Sequence, residues 1–174
     1  MLSRFYYPLR FKSFGSQSTL ESPLLLSQSH RISIGTQTFI RRGVRLEVVP
    51  PLAGNLDSPE ICIGSRCLIE QNVQIIARRR VFIGSDVSIA GQCAIVDVTH
   101  PYDIEGPRNI GYRIHQGSEE VHIEEGCFIG FGSVVLPGVH LGQGCVVGAN
   151  SVVTKSFGPR TVLAGSPARA IKTY

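Results

Sequence analysis

Aliphatic residues recur at every sixth position through most of the chain. From residue 123 to residue 153 the spacing holds without a break, at Ile123, Ile129, Val135, Leu141, Val147 and Val153. It returns earlier in three shorter runs: Ile34, Ile40 and Leu46; Ile63, Ile69 and Ile75; and Ile83, Ile89 and Ile95. An α-helix would spread residues six apart around its surface, because each residue turns the helix by about 100°. The spacing instead predicts short strands that turn a corner every six residues and point each aliphatic side chain inward.

Three such sides make one coil of about 18 residues, and coils stacked about 4.8 Å apart form a parallel β-solenoid. Glycine directly follows several inward aliphatics, as at Gly130, Gly142 and Gly148, where the bend needs a small residue. The sequence therefore predicts an all-β fold with a six-residue-repeat solenoid over residues 31–158.

Four segments lie outside this spacing. Residues 1–30 are expected to form an irregular N-terminal lead-in, and residues 50–59 and 101–118 to form loops thrown out of the solenoid. Long loops inserted into compact repeats often carry function, which makes the second loop the candidate active-site segment. Residues 159–174 are expected to cap the open end of the solenoid, whose edge must be covered.

Small residues occupy a second inward column. Four cysteines each lie four positions after an inward aliphatic: Cys67, Cys93, Cys127 and Cys145. Free cysteine packs as a small hydrophobe, and the chain has no paired spacing such as C-x-x-C. We therefore expect neither disulfides nor a metal site. His122 and His140 lie 18 residues apart, which predicts outward stacking on adjacent coils, in solvent or along a bound cofactor.

The composition narrows the functional classes. The 174 residues include 17 Lys and Arg against 13 Asp and Glu, and 43% are hydrophobic, which fits one globular domain. A net charge of +4 is too small to indicate a nucleic-acid partner. No apolar run approaches the roughly 18 residues of a membrane span. We expect a cytoplasmic location, with at most peripheral membrane association through the basic, aromatic N-terminus.

Three stretches carry a family resemblance: "VFIGSDVSIAGQCAIVDVTHPYD", "VHIEEGCFIGFGSVVLPGVHLGQGCVVGANSVVTK" and "VLAGSPARAIK". They resemble the hexapeptide-repeat acyltransferases. Within that superfamily they are most similar to the sugar O-acetyltransferases of bacterial surface-polysaccharide biosynthesis and to the galactoside and maltose acetyltransferase branch. The resemblance implies a left-handed parallel β-helix, a homotrimer, and acetyl-CoA as co-substrate without a metal.

The resemblance assigns a catalytic base. The matching residue is His100 in "DVTHP", directly before the long loop. It would remove the proton from a sugar hydroxyl that attacks the acetyl thioester, a role that suits imidazole near neutral pH. Asp97 lies three residues earlier and would either orient the histidine or bind substrate.

The resemblance also implies a binding groove for CoA between neighbouring subunits. Gly130 and Phe131 match the pantetheine end, although phenylalanine departs from the small or polar residue common there. The remaining matching positions are Gly148 and Ala149 for backbone contacts, Thr154 and Lys155 near the adenine, and Arg169 and Lys172 as phosphate partners.

The acceptor site is less determined. Positions that bind sugar in the galactoside branch hold Glu70 and Arg78 here, with Gln71 and Asn72 as polar neighbours, and Tyr102 in the long loop could cover the sugar. The run "ARRR" at 77–80 is either a solvated corner, as charge runs usually are, or a contact for an anionic acceptor. The solvated corner is the preferred interpretation.

The leading hypothesis is an acetyl-CoA-dependent O-acetyltransferase that modifies a sugar, a nucleotide-sugar or a lipid-linked sugar in surface-polysaccharide biosynthesis. An alternative is an N-acetyltransferase of an amino sugar or small-molecule amine, for which Glu70 could supply a carboxylate. A non-enzymatic scaffold is disfavoured, because His100 and the C-terminal cations are present.

Overall fold

The structure is a computed structural model that describes residues 9–50, 59–103, 105–106, 109–115 and 119–174. Its strands form three sheets, which are the three walls of a prism. The first wall contains β1 (Ser13–Phe14), β4 (Ile32–Ile34), β7 (Glu60–Ile63), β10 (Arg80–Ile83), β13 (Val121–Ile123) and β16 (His140–Leu141). The second contains β2 (Thr19–Leu20), β5 (Phe39–Ile40), β8 (Leu68–Ile69), β11 (Ser88–Ile89), β14 (Phe128–Ile129), β17 (Val146–Val147), β19 (Thr161–Gly165) and β20 (Ala168–Thr173). The third contains β3 (Leu25–Ser27), β6 (Arg45–Val48), β9 (Gln74–Ala77), β12 (Ala94–Val96), β15 (Val134–Val135) and β18 (Val152–Val153).

The predicted solenoid is confirmed by the pairing between coils. Residues 18 apart pair in parallel, for example Ile129 with Val147 and Val135 with Val153. The repeating aliphatics are almost fully buried and together form one continuous core. Short 3₁₀ turns occur at Ser29–Arg31 and Ile110–Tyr112, and no helix in the described part of the chain is long and apolar enough to cross a membrane.

The column of small residues is confirmed as well. The four repeat cysteines are free and buried, and each thiol donates to a carbonyl of the next coil, as Cys67 does to Gly84 O at 3.1 Å and Cys93 to Gly130 O at 3.1 Å. Ser133 takes the same place in its coil and donates to Gly148 O at 2.9 Å. The column therefore links successive coils in addition to filling the core.

The prediction of an irregular lead-in over residues 1–30 is wrong for residues 13–27. These residues form β1, β2 and β3, which pair in parallel with β4, β5 and β6. Phe14, Leu20 and Leu26 lie six apart and pair with Ile34, Ile40 and Leu46. The solenoid therefore begins one full coil earlier than predicted.

The C-terminal end departs from the repeat. β19 pairs in parallel with β17 on the second wall, and β20 then turns back and pairs antiparallel with β19. This hairpin ends the coil stack. The outer strand β20 is exposed over residues 169–173, so its basic side chains face solvent.

Both long connections leave the prism at the same edge. Residues 49–59 join β6 to β7 and residues 97–120 join β12 to β13, and each connection runs from the third wall to the first. We call this the loop edge. Residues 51–58, 104, 107–108 and 116–118 lie outside the described part, so the loops predicted at 50–59 and 101–118 are described only in part. The edge between the second and third walls carries Gly91, Gly130 and Gly148, and we call it the glycine edge.

Candidate active site

His100 lies on the loop edge, where the chain leaves β12, and its side chain is exposed. Its Nδ1 lies 2.9 Å from the backbone carbonyl oxygen of Arg113, on the returning part of the loop. A carbonyl oxygen only accepts hydrogen bonds, so Nδ1 carries a hydrogen, and in the neutral ring Nε2 therefore keeps its lone pair. The loop therefore holds the ring in the tautomer that a general base needs.

A backbone hydrogen bond holds the two arms of the loop together beside this histidine. The N–H of His115 donates to Thr99 O at 2.9 Å. Together with the contact between His100 and Arg113, this bond fixes residues 99–100 against residues 113–115. Tyr102 is 79% exposed, and its carbonyl lies 3.5 Å from Nη1 of Arg113. The phenol ring of Tyr102 is therefore exposed to solvent.

Asp97 does not point at the histidine. Its side chain is fully buried, and Oδ1 accepts a hydrogen bond from the backbone N–H of Arg78. Oδ2 accepts from the N–H groups of Arg79 and Arg80, both at 2.7 Å. Burial raises the pKa of this carboxyl, while the three N–H groups and the charge of Arg78 oppose the rise. Both oxygens are thus bound at the neighbouring corner, which corrects the expectation of direct substrate binding by Asp97, whereas its orienting role stays a prediction.

The "ARRR" corner is not uniformly solvated, so the preferred interpretation is wrong for Arg78. That side chain is 1% exposed, and its Nε and Nη2 have no hydrogen-bond partner among the described residues. Arg79 and Arg80 are partly exposed and lie 3.4 Å from Glu120 and 3.2 Å from Glu60, respectively. None of the three arginines is an unpaired surface cation, and the guanidinium of Arg78 is not open to an acceptor in this chain.

The other acceptor candidates lie on the glycine edge, away from His100 of the same chain. Glu70, Gln71 and Asn72 connect β8 on the second wall to β9 on the third. The carboxylate of Glu70 lies 3.3 Å from the guanidinium of Arg41, whereas Gln71 and Asn72 are exposed. The width of the third wall separates these residues from the loop edge.

The cofactor candidates divide between the same two edges and the terminal hairpin. Gly130, Phe131, Gly148 and Ala149 lie on the glycine edge, Thr154 and Lys155 lie on the loop edge two coils beyond His100, and Arg169 and Lys172 lie on β20. Lys155 and Lys172 are exposed, and Arg169 donates from Nη1 to Ala168 O at 3.0 Å. A single chain thus does not bring the small residues together with His100.

The structure gives a packing reason for the small residues. A Cβ on Gly130 would lie 2.6 Å from the backbone nitrogen of Ala149 and the carbonyl oxygen of Val147. A Cβ on Gly148 would lie 2.9 Å from the Cβ of Ala164. Phe131 is 54% exposed, and its ring lies 3.4 Å from the position that a Cβ on Gly91 would take. Close coil stacking therefore requires Gly130, whatever ligand binds nearby.

His122 and His140 stack on adjacent coils of the first wall, as the sequence predicted. Their ring centroids are 5.9 Å apart. Each Nε2 meets a carboxylate, Glu120 at 2.9 Å and Glu124 at 2.6 Å. Across the described ranges, no group of three potential ligands could hold a metal ion.

Sequence reasoning missed the residue that orients the histidine. Arg113 binds the histidine through its backbone carbonyl, and it lies in a segment without the six-residue spacing. A backbone contact leaves no trace in residue type, so no signal in the sequence could have assigned it.

Comparisons with known proteins identify the family of this chain. Residues 120–155 match the family model described as the hexapeptide repeat of succinyl-transferase. The chain is 35% identical over 163 residues to a putative acetyltransferase of Dictyostelium discoideum, covering 93% of this chain and 68% of that protein. It is 30% identical over 129 residues to galactoside O-acetyltransferase of Lactococcus lactis, covering 74% of this chain and 60% of that enzyme.

Among solved structures, AntD, an N-acyltransferase from Bacillus cereus solved with dTDP and 3-hydroxybutyryl-CoA, superposes with a TM-score of 0.79. The two sequences are 20% identical, and the match covers 95% of this chain and 84% of that one, so this likeness shows the fold alone. A solenoid of six-residue repeats defines the structural class. Within it, the chain belongs to the hexapeptide-repeat acetyltransferase family and is an acyltransferase.

Proposed function

We propose that this enzyme transfers the acetyl group of acetyl-CoA to a sugar hydroxyl, with His100 as the general base. The observation that carries the proposal is the contact between Nδ1 of His100 and the carbonyl of Arg113. In the neutral ring this contact places the lone pair on Nε2 of an exposed side chain, and that lone pair can accept a hydroxyl proton.

The proposed reaction needs one proton carrier. The sugar oxygen attacks the carbonyl carbon of the thioester as Nε2 of His100 takes the hydroxyl proton. The tetrahedral intermediate then breaks its carbon–sulfur bond. The departing thiolate takes the proton back from Nε2, which leaves an acetyl ester, CoA and neutral histidine. A base that both accepts and returns the proton restores the enzyme after each turnover.

We propose a homotrimer in which the active site forms between two chains. The loop edge carries His100, Thr154 and Lys155, whereas the glycine edge carries the small residues and the polar residues 70–72. A cleft that uses both sets needs the glycine edge of one chain to face the loop edge of another. Three-fold symmetry lets every chain contribute each edge once.

Within such a cleft, we propose that the exposed cations bind the phosphates of CoA. Lys155 lies on the loop edge just after β18, the strand of the third wall in the last coil. Arg169 and Lys172 lie on the exposed strand β20. Charge-assisted hydrogen bonds from lysine and arginine suit phosphate groups. Thr154 and the backbone around Gly148 and Ala149 would then border the adenine and pantetheine portions.

A hydroxyl acceptor is favoured over an amine. An ammonium group needs a free carboxylate, and Glu70, the candidate for that role, is engaged by Arg41 at 3.3 Å. Gln71 and Asn72 are exposed neutral groups that suit sugar hydroxyls. The likeness to galactoside O-acetyltransferase points the same way. We propose an acceptor sugar, free, nucleotide-linked or lipid-linked, that belongs to surface-polysaccharide biosynthesis.

We also propose that the enzyme works in the cytoplasm. All five cysteines are free thiols, which is typical of proteins kept in a reducing compartment.

The acceptor class is tested by measuring CoA release from acetyl-CoA with purified protein and matched acceptor pairs. Each pair offers a sugar and its amino analogue, in free, nucleotide-linked and lipid-linked forms. We expect turnover with the hydroxyl member of at least one pair and an ester product that mild alkali cleaves. Turnover confined to amino analogues, with an alkali-stable amide product, would establish the N-acetyltransferase instead.

A further inference from the structure

Two charged side chains, Arg78 and Asp97, are buried and unused by the proposed reaction, and Asp97 is the one that lies in the segment leading to His100. It is fully buried three residues before His100, and it accepts hydrogen bonds from three successive backbone N–H groups, those of residues 78–80. A buried carboxylate is costly unless its oxygens are satisfied. The N–H groups of residues 78–80 satisfy both oxygens, and these residues form the corner between β9 and β10, directly below the start of the long loop.

The corner at residues 78–80 departs from the repeat in the same place. The inward aliphatics on either side of it, Ile75 and Ile83, lie eight positions apart instead of six. The N–H groups of this enlarged corner, those of residues 78–80, converge on Asp97. The carboxylate therefore joins two irregular pieces of chain, the enlarged corner and the start of the loop.

The chain from Asp97 to His100 is short and anchored at both ends. The N–H of Asp97 donates to Ile76 O at 3.2 Å, which starts the segment on the coil below. At the far end, Thr99 and His100 are bound to the returning arm at His115 and Arg113. Since three residues reach at most about 10 Å, the orientation of Asp97 limits where the imidazole can lie.

We infer that Asp97 is a positioning residue, whose bonds to the backbone of residues 78–80 set the direction in which the His100 segment leaves the third wall. The inference rests on the proposed role of His100 as base. Both oxygens of Asp97 bind backbone N–H groups, so Asp97 acts on the ring through the backbone, and its loss should displace the imidazole from the carbonyl of Arg113. Misplacement of a catalytic group by about 1 Å lowers turnover by up to about 100-fold.

The test compares Asp97→Asn with Asp86→Asn. Asparagine keeps one oxygen acceptor but turns an NH₂ group toward backbone N–H donors, so the triple contact cannot form. Asp86 is a matched control, since its exposed carboxylate pairs with Arg66 at 2.6 Å on another edge of the prism. The measurements are kcat and KM across pH, and the ¹⁵N NMR signals of the His100 ring, which report its tautomer and its titration.

For Asp97→Asn we expect kcat to fall roughly 10- to 100-fold at every pH. The KM for acetyl-CoA should stay within about twofold, and the Nδ1–H tautomer of His100 should lose population. Asp86→Asn should match the wild type in all readouts. Unchanged kcat and an unchanged tautomer in a folded Asp97→Asn variant would show that Asp97 does not position the ring and would overturn the inference.

A second variant covers the case in which Asp97→Asn does not fold. Inserting one glycine between Asp97 and Val98 keeps the carboxylate and its three N–H donors but frees His100 from their geometry. We expect the same loss of kcat and of the tautomer signal, and wild-type values in both would contradict the inference. The NMR readout does not depend on turnover. If His100 proves not to be the base, the positioning of its ring is still measured.

Discussion

Replacing Gly130 by alanine should destabilise the solenoid even though alanine adds only one methyl group. The new Cβ would lie 2.6 Å from Ala149 N and Val147 O, which both belong to the backbone of the next coil. Non-bonded contacts settle near 3.5 Å, so the coils must separate by roughly 1 Å at this edge. The hydrogen bond from Gly130 N to Val147 O, 2.8 Å long, lies at the same place and would stretch.

The expected cost follows from these two effects. Overpacking of this kind costs about 1–3 kcal/mol, and a weakened backbone hydrogen bond costs about 0.5–1.5 kcal/mol. Together they give about 1.5–4.5 kcal/mol. A chain of this size loses about 2–4 °C of Tm per kcal/mol, so the expected fall is roughly 3–18 °C.

The matched control is Gly158→Ala. A Cβ on Gly158 meets no atom within 4 Å, and its backbone does not adopt a positive φ. Alanine there should leave Tm unchanged or raise it slightly, because it restricts the unfolded chain. Both variants are compared with the wild type by circular dichroism at one protein concentration, since assembly makes Tm concentration-dependent. Equal Tm values for the two variants would refute the argument that close coil stacking requires glycine at residue 130.

Two further predictions concern binding and thiol chemistry. Lys155→Ala and Arg169→Ala should each raise the KM for acetyl-CoA several-fold with little change in kcat, because each removes an exposed cation that we propose binds a CoA phosphate. An unchanged KM in both variants would place the cofactor groove elsewhere. Burial raises the pKa of the repeat cysteines, that of Cys127 to about 12, so these thiols stay protonated at pH 8. In the native protein a thiol reagent should quickly modify at most the half-buried Cys62, and all five thiols should react after denaturation. Rapid modification of two or more cysteines in the native protein would contradict the burial of the repeat cysteines.

The spacing of the aliphatic residues predicted the walls of the prism, because every wall of every coil must bury an aliphatic side chain at the same inward position. The first coil was missed because it starts on Phe14, an aromatic residue, and because the 3₁₀ turn at Ser29–Arg31 precedes the next run. Counting strands along the sequence also shows which edge of the prism each candidate residue occupies, so the sequence contains the information that His100 and Gly130 lie on different edges. The family resemblance does not supply this information, because it relates the residues to the ligand that they bind.

The hydrogen bonds of Asp97 and His100 could not be predicted from the spacing of residues in the sequence. Asp97 binds backbone N–H groups and His100 binds a backbone carbonyl. Such partners depend on how two irregular segments fold against each other, and any residue type supplies them. The burial of Arg78 has the same origin, since the enlarged corner turns its side chain away from solvent.

The central claim is that Nε2 of His100 takes the proton from the acceptor hydroxyl. The most direct test is kcat for His100→Ala, measured against His30→Ala, which removes an exposed imidazole from the same edge three coils lower. Circular dichroism and the mass in solution confirm that each variant is folded and assembled. The account predicts a loss of about 10²–10⁴-fold in kcat for His100→Ala, an unchanged KM for acetyl-CoA, and wild-type kinetics for His30→Ala. It also predicts that wild-type activity falls at low pH, where a protonated ring cannot accept the hydroxyl proton, and that His100→Ala lacks this acid limb. A folded His100→Ala enzyme that keeps kcat within about threefold of the wild type, with the acid limb intact, would contradict it.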